Sequence, residues 1–369
     1  MTSALFTPLV LGPQELANRI VVSPMCQYSA NDGSASPWHQ MHLGSLAGSG
    51  AGLVMVEATA VERRGRITHG CLGLYSDANE LALSQVMAFC RTAGKARFGI
   101  QLGHAGRKAS SDVPWQGGKP LSPEQDAWLT LSPSGSEDGL SRACTPDDLA
   151  RIKQAFVEAT QRAVRLGFDV IEMHAAHGYL LHQFLSPLSN KRQDAYGGSI
   201  ENRMRFPLEV FEAMQAVTPG HVALGARITG SDWLEGGITV DEAVVFARAL
   251  EQRGCAFLDV TSGGVAPARI PVGPGYQVPL ARQVKDAVGI PVWAVGMIVA
   301  PEQAESIIAD GDADAVAMAR AFLDNPHWPY EAARVLGESL SYPPQYARAE
   351  LALWPGAALK NGLSASLED

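Results

Sequence analysis

Short runs of consecutive apolar residues recur along the chain, and segments with a helical repeat of apolar positions separate most of them. A continuous apolar run is typical of a strand that is buried on both faces, as in a parallel sheet. Eight runs have this character, and they lie at 19–25, 52–61, 97–106, 168–178, 222–230, 256–264, 291–297 and 314–322.

Helices are predicted between most of these strands, because apolar positions there recur every three or four residues. The clear helical segments are 81–95, 145–167, 201–217, 239–254, 280–289 and 301–311. Two of these helical segments begin with residues that are typical of a helix start. Thr145 precedes Pro146 and two acidic residues, and Thr239 is followed by Glu242 at the spacing of a capping box.

Strands that alternate with helices predict an α/β fold, and eight such units fit a single closed (β/α)8 TIM barrel. The rival is a doubly wound sheet, but no G-x-G-x-x-G motif follows any predicted strand. We expect one barrel domain over residues 1–355 and a flexible C-terminal tail over 356–369. The segment 107–144 is rich in Gly, Pro, Ser and Trp and follows the third strand, so it is a candidate lid.

The composition is that of a folded globular protein, since 46% of the 369 residues are hydrophobic and 18% are charged. The net charge of −9 argues against a general nucleic-acid binder. Neither a signal peptide nor an apolar run of about 18 residues is present, so we expect a cytoplasmic protein without a membrane span. No C-x-x-C spacing suggests zinc or a disulfide framework among Cys26, Cys71, Cys90, Cys144 and Cys255.

The densest group of reactive side chains follows the fourth predicted strand and consists of His174, His177 and Tyr179. Chemistry in a (β/α)8 barrel takes place at the C-terminal ends of the strands. Two imidazoles there can hold a substrate oxygen and stabilise negative charge on it, and the phenol can supply a proton. A structural role for either histidine is the alternative. No H-E-x-x-H motif or third ligand is evident, so we predict no metal site.

Two arginines end predicted strands. Arg227 ends the fifth strand and needs a partner if it is buried, either a carboxylate such as Glu57 or Glu172 or an anionic ligand. Arg320 ends the eighth strand, and Gly296 ends the seventh. The loops after strands seven and eight are the usual phosphate site of barrels. An ordinary surface ion pair is the alternative for Arg320.

Polar residues also lie on the first and third predicted strands. Gln101 must be hydrogen-bonded if it is buried, and Cys26 on its own is more typical of a small buried apolar residue. The strand-end residues together call for one ligand with a phosphate, a planar polar face and an open side beneath two histidines. FMN fits this description. The residues of the first strand end are Ser23, Pro24, Met25 and Cys26.

Several stretches resemble the Old Yellow Enzyme family of FMN-dependent ene-reductases, and in particular its thermophilic-like bacterial branch. The resemblance extends from residue 5 to about residue 350. The most specific stretch runs from 174 to 206. The matching sequences are ANRIVVSPMCQYSA, EATAVERRGRI, IQLGHAGRKA, HAAHGYLLHQFLSPLSNKRQDAYGGSIENRMRF, ITGSDWLEGG, GPGYQVP and QYAR.

The resemblance implies a single (β/α)8 barrel that binds FMN non-covalently. Positions that match contacts to the flavin ring and ribityl chain are Ser23, Pro24, Met25, Cys26, Ala60, Gln101 and Arg227. Ala319 and Arg320 match the phosphate site, although glycine often stands at the position of Ala319. Cys26 matches a cysteine that tunes the flavin potential rather than one that attacks the substrate.

The resemblance also implies a reaction. His174 and His177 match the pair that binds the substrate oxygen, Tyr179 matches the proton donor, and Tyr28 matches a substrate-side residue. NADPH or NADH would reduce FMN and leave, and an α,β-unsaturated aldehyde, ketone, imide or nitro compound would then accept the hydride.

Arg348 matches an arginine that reaches a neighbouring subunit's site, which implies a homodimer or homotetramer. The chain continues past Arg348 to residue 369, beyond the end of close relatives. We expect Trp354 in this extension to pack on the surface.

Two other classes of function remain open from the residues alone. One is a flavin-free barrel lyase or aldolase that uses Arg320 for a substrate phosphate, although no lysine ends any predicted strand, which argues against a Schiff base. The other is a non-catalytic binding barrel, against which the concentration of His, Tyr and Arg side chains argues.

Overall fold

Eight parallel strands close into a barrel in the computed structural model, which describes residues 3–350 and 352–356. The barrel runs in the order β3–β4–β5–β8–β9–β10–β11–β12 and closes between β12 and β3. The eight predicted strands and the (β/α)8 TIM barrel are therefore confirmed. The strands are β1 (Leu9–Leu11), β2 (Gln14–Leu16), β3 (Ile20–Val22), β4 (Leu53–Ala60), β5 (Arg97–Gly103), β6 (Thr130–Ser132), β7 (Ser141–Ala143), β8 (Val170–Ala175), β9 (Ala223–Thr229), β10 (Leu258–Thr261), β11 (Val292–Val295) and β12 (Ala315–Met318).

Helices follow most barrel strands and pack on the outside. The helices are α1 (Pro37–Ala47), α2 (Asp77–Ala93), α3 (Pro146–Arg165), α4 (Leu180–Leu185), α5 (Ile200–Arg203), α6 (Arg205–Gln215), α7 (Val240–Glu251), α8 (Val278–Lys285), α9 (Pro301–Ala309), α10 (Arg320–Asp324) and α11 (Trp328–Val335). Each of the six predicted helices overlaps an observed one, whereas α1, α4, α10 and α11 were not predicted.

The two predicted helix starts are correct, but one capping detail is wrong. Thr145 Oγ1 accepts the N–H of Asp148 at 3.2 Å, and Thr239 Oγ1 accepts the N–H of Glu242 at 3.3 Å. The Glu242 carboxylate does not turn back to form a capping box. It pairs instead with the buried Arg203, because a buried guanidinium requires an acceptor.

The N-terminal end of the barrel is filled by apolar side chains. The β1–β2 hairpin packs Leu9, Leu11 and Leu16 against the inward-facing residues of the barrel strands. Just above them the rings of Phe257 and Trp293 stack with their centroids 4.2 Å apart. This end of the barrel is a packed core, so the opposite end is left for a ligand.

The predicted lid segment 107–144 forms short turns and a small parallel pair, β6–β7. Trp128 anchors it to the loop after β4, since the indole N–H donates to Arg64 O at 2.9 Å. Trp115 lies 67% exposed, and its ring meets that of Tyr28 edge-on at 5.8 Å. The segment therefore borders the C-terminal ends of the strands, where a lid would lie.

The chain after α11 runs along the outside of the barrel. Pro344–Ala349 is a 3-10 helix, and the Tyr346 ring in it meets the His327 ring at 6.3 Å. Trp354 lines a surface cleft beside these residues, consistent with the packing expected for it. The predicted tail beyond residue 356 lies outside the described residues. No helix of the described chain is long and apolar enough to cross a bilayer.

Candidate active site

The C-terminal end of β8 brings three predicted residues together. His174 lies on β8, and Tyr179 immediately precedes α4. The His174 ring lies 5.3 Å from the His177 ring and 5.0 Å from the Tyr179 ring, both edge-on. The backbone between them turns sharply, because His177 has φ +59° and Gly178 has φ +71°. The two imidazoles and the phenol thus form one compact group at the barrel opening.

The loops around this group hold it from two further directions. His177 Nε2 lies 3.0 Å from the hydroxyl of Thr261, the last residue of β10. Lys108 Nζ donates to His177 O at 2.8 Å and to Gly264 O at 3.2 Å. The same ammonium lies 5.0 Å from the centre of the Tyr179 ring.

Burial sets the protonation of the three groups. Desolvation, followed by the Arg227 charge, holds the pKa values of His174 and His177 well below their usual range. Desolvation raises the pKa of Tyr179 well above its usual range, and Cys26 adds to this effect. The two imidazoles are therefore neutral and the phenol is protonated near pH 7. Each neutral imidazole can donate one hydrogen bond, and the phenol can donate its proton.

Beneath this group the barrel interior contains charged side chains. Arg227 on β9 is the register partner of His174 on the neighbouring strand β8. The Nε of Arg227 is 3.2 Å from Oδ2 of Asp259 on β10. The expected partners Glu57 and Glu172 were therefore wrong as the direct ion-pair partner. Asp259 takes this place because strand register sets it beside Arg227. Glu57 lies instead with its Oε1 3.2 Å from Nε2 of His39 on α1.

Glu172 completes the buried layer. Gln101 Nε2 donates to Glu172 Oε1 at 2.6 Å, which satisfies the expectation that Gln101 is hydrogen-bonded. Burial, and then the Asp259 charge, raises the pKa of Glu172 to about 8. The carboxyl groups of Glu172 and Asp259 both lie near the Arg227 guanidinium, which can neutralise only one of them. A second carboxylate without a cationic partner would be costly in this buried site. Glu172 therefore keeps its proton while Asp259 pairs with Arg227.

The first strand end adjoins the eighth. The N–H of Ser23 donates to Met318 O at 2.9 Å, while the buried Ser23 hydroxyl has no hydrogen-bond partner among the described residues. Pro24, Met25 and Cys26 continue from Ser23 towards α1. Burial raises the pKa of the Cys26 thiol, which keeps the thiol neutral. Ala60 ends β4 and lines one cavity with His174 and Tyr179.

At the ends of the seventh and eighth strands, the structure agrees with the prediction for Gly296 and differs from it for Arg320. Gly296 has φ +117°, and a Cβ there would lie 2.5 Å from Gln277 Nε2, so glycine is required. The prediction that Arg320 ends the eighth strand is wrong. Met318 ends β12, and Ala319 turns the chain so that Arg320 begins α10 with an exposed side chain. No residue of the described chain forms an ion pair with Arg320.

Two predicted substrate-side residues differ in position. Tyr28 lies close enough to Tyr179 to help raise the Tyr179 pKa, and desolvation, followed by the nearby Cys26, raises the pKa of Tyr28 itself. Arg348 is exposed in the 3-10 helix on the outer face, and no contact within the described chain joins it to the strand-end residues. No group of three or more His, Cys, Asp or Glu suited to a metal occurs in the described chain.

The sequence did not single out Lys108, Asp259 or Thr261. Asp259 carried a usable signal, since it is an acidic residue inside an apolar run. Thr261 stands near the end of the same run. Lys108 stands beyond the end of β5, and only the path of the loop brings its amine to the His177 carbonyl.

Comparison with known proteins gives consistent matches. The family model for NADH:flavin oxidoreductase / NADH oxidase matches residues 4–338. An NADPH dehydrogenase of Geobacillus thermodenitrificans is 44% identical over 350 residues, which cover 94% of this chain and 99% of the relative.

Solved structures agree with the sequence relatives. Morphinone reductase superposes with a TM-score of 0.75 and 31% identity, covering 93% of this chain and 92% of that chain. The old yellow enzyme homologue from Zymomonas mobilis gives a TM-score of 0.73 at 25% identity, covering 92% of this chain and 94% of that one.

Proposed function

Because the chain belongs to the NADH:flavin oxidoreductase / NADH oxidase family and is an FMN-dependent NAD(P)H oxidoreductase of the Old Yellow Enzyme type, we propose that it is an ene-reductase. Its substrates would be alkenes activated by an aldehyde, ketone, imide or nitro group. The observation that carries the proposal is the compact group of two neutral imidazoles and a protonated phenol at the end of β8.

The strand-end residues fit FMN. The buried Ser23 hydroxyl and His174 Nδ1 have no hydrogen-bond partner among the described residues, and buried polar atoms normally have one. The buried Nε of Arg227 likewise has no hydrogen-bond acceptor there, although it lies 3.2 Å from Asp259 Oδ2. The residues that would hold the cofactor are Ser23, Pro24, Met25, Cys26, Ala60, Gln101, Arg227, Gly296, Ala319 and Arg320. When bound, FMN supplies the hydride chemistry, which passes reducing equivalents from the nicotinamide to the alkene.

The two imidazoles would bind the substrate oxygen. Hydrogen bonds to that oxygen draw electron density from the conjugated double bond and stabilise charge that develops there. A neutral imidazole has one N–H, so its tautomer matters. The Thr261 hydroxyl has one proton and two acceptors within reach, His177 Nε2 at 3.0 Å and Gln277 Oε1 at 3.2 Å. Gln277 Oε1 already accepts the Ser262 hydroxyl at 2.5 Å, so we assign the Thr261 proton to His177 Nε2. The ring proton of His177 is then on Nδ1, free to face the substrate.

Tyr179 would protonate the α-carbon. Its raised pKa keeps the proton on the phenol until carbanion character develops at that carbon. General-acid assistance of this kind is typically worth about 10²- to 10⁴-fold. Overall, NAD(P)H and one proton convert the alkene to the saturated compound and NAD(P)⁺. The hydride goes to the β-carbon, and solvent returns the proton to Tyr179.

The two half-reactions, followed separately by stopped-flow absorbance, test this assignment. We expect Tyr179→Phe to slow reoxidation by an enone strongly and reduction by NADPH little, because only reoxidation by the enone needs the proton. The double variant His174→Ala/His177→Ala should lose enone turnover while it stays yellow.

Two matched controls complete the test. Tyr346→Phe and His221→Ala change exposed side chains and should leave both half-reactions unchanged. Equal slowing of both half-reactions in Tyr179→Phe, or normal enone kinetics in the double histidine variant, would refute the assigned roles.

The assembly is a separate part of the proposal. Within one chain no contact among the described residues joins the exposed Arg348 to the strand ends, so a role at the site requires a second copy of the chain in a homodimer or homotetramer. Sedimentation of the wild type and Arg348→Ala, together with KM for an enone, tests this. A monomeric protein, or an unchanged KM in an oligomer, would contradict the role.

A further inference from the structure

Two buried histidines outside the proposed catalytic group share one hydrogen-bonding arrangement. His104 Nδ1 accepts the N–H of Gly106 at 3.0 Å, and His182 Nδ1 accepts the N–H of Gly178 at 2.7 Å. Because Nδ1 is the acceptor, each neutral ring carries its proton on Nε2. That atom lies near a carboxylate in both cases. His104 Nε2 is 2.9 Å from Oε1 of Glu62, and His182 Nε2 is 3.0 Å from Oδ1 of Asp232.

Each histidine holds a turn that requires glycine. Gly106 has φ +60°, and a Cβ there would lie 2.5 Å from Gln183 Oε1. Gly178 has φ +71°, and its Cβ would lie 2.1 Å from Gly264 O. The first turn leads to Lys108, and the second lies between His177 and Tyr179. The two carboxylate–imidazole pairs therefore fix the two loops that carry Lys108, His177 and Tyr179.

Gln183 connects the two loops. This fully buried α4 side chain accepts the N–H of Arg107 at 3.3 Å. Its Nε2 donates to Gly178 O at 2.7 Å and to Ala105 O at 3.3 Å. All donors and acceptors of the Gln183 amide thus serve the loop after β5 or the loop after β8. An amide in this position makes the displacement of one loop costly for the other.

We propose that Gln183 is a positioning residue that joins the His104–Glu62 and His182–Asp232 pairs into one support, which holds Lys108 against His177 and Tyr179. This inference rests on the proposed function for the reaction that it serves. Proton transfer to carbon requires the Tyr179 hydroxyl to stay in place, and a displacement of 1 Å can cost roughly 10²-fold in rate.

Hydrogen–deuterium exchange of the FMN-loaded full-length protein tests the connection without relying on activity. Gln183→Met keeps the side-chain length and removes the amide. We expect exchange to accelerate by about tenfold, the equivalent of one lost hydrogen bond, in both segments 104–109 and 176–180. Gln154→Met, which alters an exposed glutamine on α3, should accelerate neither segment. Acceleration in one segment only, or in neither, would overturn the proposal.

A second variant covers the case in which Gln183→Met fails to fold. Gln183→Glu retains an acceptor for the N–H of Arg107 and loses the donor that serves Gly178 O at 2.7 Å and Ala105 O at 3.3 Å. It should accelerate exchange in 176–180 more than in 104–109, and the reverse order would overturn the assignment. A double-mutant cycle with His104→Asn and His182→Asn should be non-additive in both segments, whereas strict additivity would show that the two pairs act separately.

Kinetics separate positioning from a purely structural role. Gln183→Met should slow enone reduction about tenfold to a hundredfold in kcat with little change in KM and in FMN content. Loss of FMN with normal kcat per bound flavin would overturn the positioning role. If the wild-type protein reduces no activated alkene while Gln183→Met still accelerates exchange in both segments, the proposed reaction is wrong and the positioning of the two loops by Gln183 is retained.

Discussion

The same strands build two different layers inside the barrel. In the lower layer Val170, Phe257 and Trp293 pack without charge, and the β1–β2 hairpin closes the barrel beneath them. In the layer above, Glu172 and Asp259 surround Arg227. Two residues further along β8 and β10 the chain reaches His174 and Thr261. Side chains two apart on a strand share a face, so β8, and β10 with the preceding Phe257, each carry a core residue, a charged residue and a site residue in succession.

The difference between the layers shows how stability and function divide. The apolar layer contributes by excluding water and filling space, and these effects are insensitive to pH. The charged layer is balanced by one guanidinium and one retained proton, so it depends on pH and borders the proposed cofactor site. Substitutions should therefore separate cleanly, with loss of stability below and loss of chemistry above.

The largest expected effect is in the lower layer. Trp293→Ala should lower the free energy of unfolding by about 3–5 kcal/mol, because it removes a fully buried indole and the stacking partner of Phe257. Denaturant unfolding measures the loss, and Trp293→Phe is a milder version that should still fold. Trp38→Ala removes a 50% exposed indole and should cost much less. Unchanged stability with altered kcat in Trp293→Phe would break the division between the layers.

An intermediate effect is expected from the proton on Glu172. Burial raises the pKa of Glu172 from its usual 4.5 to about 8, so the folded protein holds a proton that the unfolded chain releases. This contribution to stability is complete below about pH 4.5 and is lost as the pH rises through about 8. Glu172→Gln is neutral at every pH and should flatten the fall in unfolding free energy over that range.

The control for this prediction is Glu302→Gln, which alters an exposed carboxylate and should leave the pH profile of unfolding unchanged. The difference between wild type and Glu172→Gln should favour the variant increasingly as the pH rises. A wild-type profile that stays level between pH 5 and 9 would show that Glu172 does not hold the extra proton.

The smallest effect is expected at the border of the upper layer. Thr261→Val keeps the side-chain shape and removes the hydroxyl beside His177 Nε2. Without it the His177 tautomer is no longer fixed, so enone reoxidation should slow about tenfold, as for the loss of one hydrogen bond. Stopped-flow measurement should show NADPH reduction nearly unchanged. Thr261→Ser should recover most of the rate, and failure of this rescue would argue against a tautomer role.

The apolar pattern predicted the barrel strands because each strand is buried on both faces. Helix α1 escaped prediction, since its exposed side carries Trp38 and Met41 while its buried side carries His39. An amphipathic repeat is therefore hidden in its sequence. The start of α2 lies before the predicted helix because Ser76 caps it through the N–H of Asn79.

The strand-end positions of His174, Tyr179 and Arg227 were predictable from one-dimensional spacing. Their partners were not. Asp259 meets Arg227 through the register of neighbouring strands, and Lys108 meets His177 through the path of a loop. Such pairings depend on three-dimensional closure of the barrel, which no local pattern encodes. Arg320 shows the same limit, because a turn at Ala319 ends the strand earlier than the apolar run suggests.

The most direct test of the central claim is an absorbance titration of the purified protein with FMN and then with an enone. We predict one FMN per chain and a change in the visible flavin band when the enone binds above it. In His174→Ala/His177→Ala the FMN stoichiometry should persist and the change should disappear. A protein that binds no FMN, or a band shift that is equal in the wild type and the double variant, would contradict a flavin site beneath the two imidazoles.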